Sequence, residues 1–403
     1  MMNRRKALAT AAAAATAAAT ISEANAAPSR ETPVDGDHLT PGQEKMLNIR
    51  FDTLDGESHQ DFVVGIKNFL GRRITDTESR KDIEARLRAK GLNSIDNTSL
   101  NYHQSFDALM EAPEFAAYMR LDATGQHIMW DRARRVFEQN ADHYLDLLDD
   151  AETKGPGKLE MNPNLDYPDY ASLEIHGQPG GYVGDPLGGW VYHYAVTKGY
   201  RQGTAFHDEN HIRYAMSYQK PADGEVRRYL DLGCGTGQST TPIKMRFPDA
   251  EVWGIEVGGP LVRYAHYRAR KMGLDVNFRH GLAEDTKFPD NHFDMVSSSI
   301  MFHEVSRAAA AKIVAETFRV LRPGGTYSHS DTITEGHDSR TPARNISGKA
   351  TIWRQYRHHT YEPWFIEYTD SDFPGMLRQA GFKVDLSGDG VGTRPRLIAT
   401  KPA

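Results

Sequence analysis

The spacing of hydrophobic positions changes near residue 225, from a helical rhythm to short apolar runs. Before that point, Phe62, Ile66, Phe69 and Leu70 recur at three- and four-residue intervals. So do Ile128, Ala133, Val136, Phe137, Tyr144 and Leu148, and this is the spacing of one apolar face on a helix. Asp76 or Thr77 is placed to cap a further helix through the charged run from Ser79 to Lys90, with Gly91 ending it. Residues 27–150 are therefore expected to form a mainly helical region, a scaffold for packing or dimerisation. Between 151 and 222 the texture becomes "GPGKLEMNPNLDYPDY" and "HGQPGGYVGDPLGGWVYHY", dense in Gly, Pro and Tyr. Such chain is turn-rich. Its aromatics suit either the lining of a ligand site or an irregular cover over apolar surface.

From about Glu225, strand-length runs alternate with helical patterns. "VRRYLDL", "EVWGIEV", "VNFRH", "FDMVSSS", "GTYSHSD", "FKVDLS" and "RPRLIATK" predict strands, and helices are predicted over 238–247, 260–272, 307–321 and 372–380. Alternation of this kind predicts an α/β fold over residues 223–403, a parallel sheet covered on both faces. Ligands of such a sheet sit beyond the carboxyl ends of its strands, where the strand order reverses.

Composition narrows the function only by exclusion. The chain is 39% hydrophobic and 25% charged, an ordinary globular balance. A net charge of −6 offers no electrostatic footprint for nucleic acid, and there is no N-P-P-Y type motif for a flipped base. No run is apolar enough to span a bilayer, so stable membrane insertion is not expected. A single cysteine, Cys234, excludes an intramolecular disulfide and a thiolate-rich zinc site. Residues 1–26 resemble a twin-arginine export signal: Arg4 and Arg5, an Ala/Thr stretch to Ile21, then Ala24-Asn25-Ala26 as a cleavage site. Asn3 and Ala7 depart from the usual pattern. The resemblance implies export to the periplasm, and the alternative is an Ala-rich tail on a cytoplasmic protein.

The chemistry concentrates in "YLDLGCGTGQST". A strand ends at Leu232, and Gly233, Gly235 and Gly237 follow at alternate positions, letting the backbone turn sharply and approach a ligand. A dinucleotide fingerprint G-x-G-x-x-G needs glycine at 238, where Gln238 stands. The second strand ends in Glu256, placed to accept hydrogen bonds from ribose hydroxyls. Together "LDLGCGTG", the acid of "GIE", "GLAEDTKFPDNHFD" and "RVLRPGG" resemble, in order, the motifs of class I S-adenosylmethionine (SAM)-dependent methyltransferases. The texture is that of the group containing the ubiquinone and menaquinone biosynthesis enzymes. The resemblance covers roughly Val226 to the C-terminus.

The resemblance implies a Rossmann-like seven-stranded sheet, SAM as cofactor and a small-molecule methyl acceptor. It assigns Asp231, Gly233, Gly235 and Gly237 to the methionine portion, Glu256 to the ribose and Val257, Ala283 and Glu284 to the adenine. Ser298 and Ser299 would border the transferring methyl. Leu282 stands where much of the group has an acid. Alternatives are a non-catalytic SAM-binding protein and a dinucleotide-dependent oxidoreductase. Where an acceptor needs a base, His303, Glu304 and His329 are candidates, with Asp331 beside the last. Tyr192, His193 and Tyr194 precede the first strand, where related chains cover SAM. Trp353, His359 and Tyr361 fall in an insertion near 335–370 that resembles a lid over the acceptor. His207 and His211 lie four apart, but "HDENH" is not the zinc-protease H-E-x-x-H, and no metal is expected.

Overall fold

A computed structural model describes residues 43, 46–47, 49–74, 81–82, 85–86, 88–91, 106–199, 208–331, 361–386 and 396–403. The export-signal residues 1–26, His207, and Trp353 and His359 of the expected lid lie outside them, as does part of the helix expected over 79–90. At the end of that helix Gly91 has φ +74 and donates its N–H to the Arg88 carbonyl, the left-handed turn that closes a helix.

An eight-stranded sheet organises the C-terminal half. Its strands are β1 (Leu159–Glu160), β2 (Arg228–Leu232), β3 (Glu251–Glu256), β4 (Asn277–His280), β5 (Phe293–Ser299), β6 (Leu321–Ser330), β7 (Lys383–Asp385) and β8 (Arg396–Thr400). Their order is β1-β4-β3-β2-β5-β6-β8-β7. The neighbours β1/β4, β4/β3, β3/β2, β2/β5 and β5/β6 run parallel. β8 runs antiparallel to both β6 and β7. Two corrections to the sequence expectation follow. The two-residue β1, from the Gly/Tyr-rich segment, adds an eighth strand at one edge. The last strand is antiparallel because residues 386–395 are too short a connection for a crossover, which takes a dozen or more.

The strands alternate between two cores, as a period of two requires. Leu230, Leu232, Trp253, Ile255 and Val296 face one core. It is closed by helices α8 (Arg307–Val320), α9 (Phe365–Thr369) and α10 (Phe373–Gln379). Tyr229, Val252, Phe278 and Met295 face the other. There α5 (Glu209–Ser217), α6 (Thr240–Arg246) and α7 (Gly259–Lys271) pack.

The preceding helices are α1 (Leu54–Ile74), α2 (Pro113–Glu138), α3 (Ala141–Thr153) and α4 (Gly188–Gly199). They do not close on themselves. Trp130, Phe137, Trp190 and Tyr194 share one apolar cluster with Tyr264, Tyr267 and Met272, on and just after α7. Trp190 meets Tyr264 and Tyr267 at ring-centroid distances of 4.7 and 4.9 Å. α1 corrects the periodicity reading in one respect. It is helical as expected, yet Phe62 and Phe69 are 68% and 57% exposed. Gln60 and Val63 are buried instead. Gln60 donates to the Met129 carbonyl at 2.9 Å, and Lys67 pairs with Asp122 at 3.2 Å, so polar bonds to α2 decide which side faces inward.

Candidate active site

The loop after β2 turns through three left-handed glycines, Gly233 (φ +61), Gly235 (φ +52) and Gly237 (φ +73). A Cβ on Gly233 would strike Met301, whereas one on Gly235 would meet nothing within 4 Å. That open direction belongs to a cavity at the carboxyl ends of β2, β3 and β5. The strand order reverses there: β3 lies on one side of β2 and β5 on the other.

Glu256 is the hub of this end. One carboxylate oxygen accepts the Gly235 N–H at 2.8 Å and the other accepts the Gly258 N–H at 2.8 Å. An ionised carboxylate offers about four lone-pair sites, so capacity for hydroxyls remains. Burial pushes its carboxyl pKa up, against the pull of those N–H groups. Asp231 takes a different place from the one expected of it. It accepts from the Ser297 hydroxyl at 2.8 Å and the Thr240 hydroxyl at 2.7 Å, and does not line the cavity. Its role is to tie β2 to β5 and α6; burial raises its pKa to about 6.

Sequence reading missed the brace behind the loop. Arg268 donates to the Gly237 carbonyl at 2.7 Å and pairs with Asp208. Asp208 also accepts from Gln238 at 2.7 Å and lies 3.2 Å from His193. All four side chains are buried. Burial acts to raise the Asp208 pKa, but Arg268 and His193 outweigh it and hold the carboxyl well below the usual carboxylate range. Gln238, where a dinucleotide loop has glycine, is thus a working part of the brace. No signal near Asp208 announced the contact, because its partner lies 60 residues away. His211 bonds Ser239 at 3.1 Å.

The Gly/Tyr-rich segment lines the site. Tyr170, Ala171, Ile175, Tyr182 and Tyr192 face the same cavity as Gly233, Gly235, Glu256, Val257 and Ala283. Glu284 accepts from the Tyr170 hydroxyl at 2.6 Å, tying this wall to the loop after β4. Tyr194, two residues on from Tyr192 in α4, points the other way. It stacks on Phe51 at 3.7 Å within the helical core, which corrects its expected place beside a substrate. Tyr361, with its hydroxyl 2.9 Å from His127 Nε2 and 43% of its surface exposed, also lies off the cavity.

The expected bases fare differently. Ser298, Tyr327 and His329 form a sealed group: Ser298 Oγ is 2.6 Å from the Tyr327 hydroxyl and 3.1 Å from His329 Nδ1. His329 Nε2 meets the Tyr368 hydroxyl at 2.7 Å. His329 is a satisfied core residue 2% exposed, so it cannot reach an acceptor. Ser299, on the strand's last position, does not line the cavity. His303, also 2% exposed, holds Asp331 Oδ1 at 2.6 Å through Nδ1 and lies 3.2 Å from Glu304 through Nε2. Burial alone would lower its pKa; Asp331 and Glu304 outweigh burial and raise it to about 10. Its ring is engaged by both carboxylates and does not line the cavity. Glu304 alone of the three lines the cavity. Its own pKa, raised by burial, is drawn far below the usual range by His176 and His303.

Ile300 on the cavity wall has a left-handed backbone (φ 55), as does His176 (φ 60), the neighbour of the wall residue Ile175. A β-branched residue there is an outlier, and such strain collects where surrounding structure fixes a site.

The charge pattern selects the ligand. Two buried carboxylates, Glu256 and Glu304, line the cavity, and no Lys, Arg or His does so among the described residues. A pyrophosphate would meet only negative charge, whereas a sulfonium with an ammonium group would be welcomed. Glycines to approach a nucleoside, an acid for its ribose and an anionic wall fit SAM.

Comparison with known proteins agrees. Residues 230–325 match the family model described as "Methyltransferase domain". An uncharacterized methyltransferase of Synechocystis sp. is 32% identical over 158 residues, 39% of this chain and 68% of that protein. An O-methyltransferase of Penicillium expansum is 28% identical over 258 residues, 62% of this chain and 87% of that protein. The chain spans 44% of the demethylmenaquinone methyltransferase of Thermus thermophilus, to which it is 38% identical over 99 residues, 25% of its own length. Among solved structures, a putative O-methyltransferase from Nostoc punctiforme superposes with a TM-score of 0.44 at 16% identity, covering 69% of this chain and 72% of that one. The fold and its site define a methyltransferase. The chain belongs to the class I SAM-dependent methyltransferases.

Proposed function

We propose that the chain moves a methyl group from SAM to a small-molecule acceptor. The observation that carries this is one cavity lined by Gly233, Gly235, Glu256 and Glu304 together with Tyr170, Tyr182 and Tyr192. When bound, SAM supplies a methyl carbon already made electrophilic by its sulfonium. The chain's part is then alignment and exclusion of water. Gly233, Gly235 and Glu256 would hold the cofactor, with Val257 and Ala283 against its base. The tyrosines cover it, and Glu304 places negative charge at the acceptor end.

The test has two readouts. Glu256→Ala, which loses a charged hydrogen-bond acceptor worth about 1.5–3 kcal/mol, should weaken SAM binding by roughly ten- to a hundredfold in calorimetry. Unchanged affinity would remove Glu256 from the cofactor site. Turnover of labelled SAM to S-adenosylhomocysteine in a metabolite extract should yield a methylated small molecule. Tight SAM binding without turnover across a broad acceptor panel would make the chain a sensor or scaffold instead.

A further inference from the structure

A cluster at the acceptor end of the cavity is built beyond what methyl transfer itself requires. His303 and Glu304 follow β5, Glu362 precedes α9, and His176 comes from the Gly/Tyr-rich segment, so three distant stretches of chain converge. Glu304 Oε1 lies 3.1 Å from His176 Nε2 and 3.2 Å from His303 Nε2. Glu362 Oε1 lies 3.0 Å from His176 Nδ1, and its Oε2 lies 3.9 Å from His303 Nε2. The side chains of these four are all at least nine-tenths buried.

We propose that His303, Glu304 and Glu362, with His176 against the same two carboxylates, form a binding site for one divalent transition-metal ion of the zinc class. One ligand atom from each of His303, Glu304 and Glu362 falls within 4.8 Å of the others. Two ligands about 2.1 Å from one ion lie at most about 4.2 Å apart, which the 3.2 and 3.9 Å separations already satisfy. An independent feature points to a ligand. Glu304 Oε2 is buried, has no hydrogen-bond partner, and belongs to a side chain lining the cavity. His303 is also oriented as a metal ligand is. Its Nδ1 is held by Asp331, which also accepts the Met301 and Phe302 N–H groups, and this turns Nε2 to the carboxylates. His176 is set by a left-handed backbone whose carbonyl is fixed by Trp130 Nε1 at 2.8 Å and Gln126 Nε2 at 3.0 Å.

Imidazole with carboxylate selects zinc-class ions over magnesium, which prefers oxygen and water. On binding, the ring proton of His303 leaves to solvent and Nε2 donates to the ion. An open position toward the cavity would let the ion take an acceptor oxygen and ease loss of its proton. That last role rests on the methyltransferase reading, whereas the site does not.

The test uses the full chain, stripped by chelation and titrated with Zn2+ alone. One equivalent should bind, undisturbed by equimolar Mg2+. Glu362→Gln should weaken binding at least tenfold with SAM affinity kept, and Asp331→Asn roughly ten- to a hundredfold through the His303 ring. In the unmutated chain, Co2+ should give the visible bands of a four- or five-coordinate nitrogen–oxygen site and lose them to Zn2+. Substoichiometric Zn2+ binding, an octahedral Co2+ spectrum, or equal affinity in wild type and variants would show a self-sufficient ion-pair cluster and overturn the proposal. Since the readout is metal binding, its failure leaves methyl transfer standing, and failed turnover leaves this site standing.

Discussion

Asp231 and Glu256 are anions buried at neighbouring strand ends with raised pKa values, Asp231 at about 6. A group raised in this way prefers its proton while the site lacks a cation. A cationic ligand favours the ionised form, so its binding expels the proton. SAM affinity should therefore rise as pH climbs from about 5 through 6 and level off near 7. Asp231→Asn should flatten the part of that rise centred on about 6. Calorimetry across this range checks both, and a pH-independent affinity would show that neither anion feels the cofactor. At this scale the sequence was most misleading about histidines. Their positions after β5 and on β6 follow from the motifs, but their chemistry does not. His303 is engaged by Asp331 and Glu304, and His329 became a core residue through Tyr368 and Ser298. Tyr368 is 39 residues from His329, and nothing local announces it.

The elements were far easier to read. α7 and α8 begin and end within a residue or so of their expected bounds, and β5 matches its run Phe293–Ser299. Parallel strands buried on both faces are near-continuous apolar runs, and short glycine turns leave little room for error. Where the reading slipped, a polar contact had outvoted periodicity, as when Gln60 and Lys67 turned α1 so that Phe62 and Phe69 face out. The glycine loop shows the same dependence from the other side. Its shape is intrinsic to glycine, yet its position depends on α7 through Arg268. Arg268→Met should leave Asp208 buried without its strongest partner and cost about 3–5 kcal/mol of stability. It should also weaken SAM binding, because Gly237 loses its anchor. Chemical denaturation and calorimetry measure the two effects. A variant that melts early yet binds SAM with unchanged affinity would confine the brace to stability.

In the whole molecule, the helices before the sheet and α7 within it bury one another. Residues 223–403 contain the family motifs but not the partners of Tyr264, Tyr267 and Met272, nor the tyrosines over the cavity. Expressed alone, that segment should aggregate and fail to bind SAM, as judged by size-exclusion chromatography and calorimetry. A soluble, SAM-binding fragment would show that the helices are dispensable.

The shared cluster also bears on how the chain is made. Ribosomes deliver Trp130, Phe137, Trp190 and Tyr194 first, and the tyrosines of α7 that complete their shelter emerge some seventy residues or more later. During that interval a broad greasy face stands half-covered, and the nascent chain has every reason to recruit a chaperone until the sheet arrives.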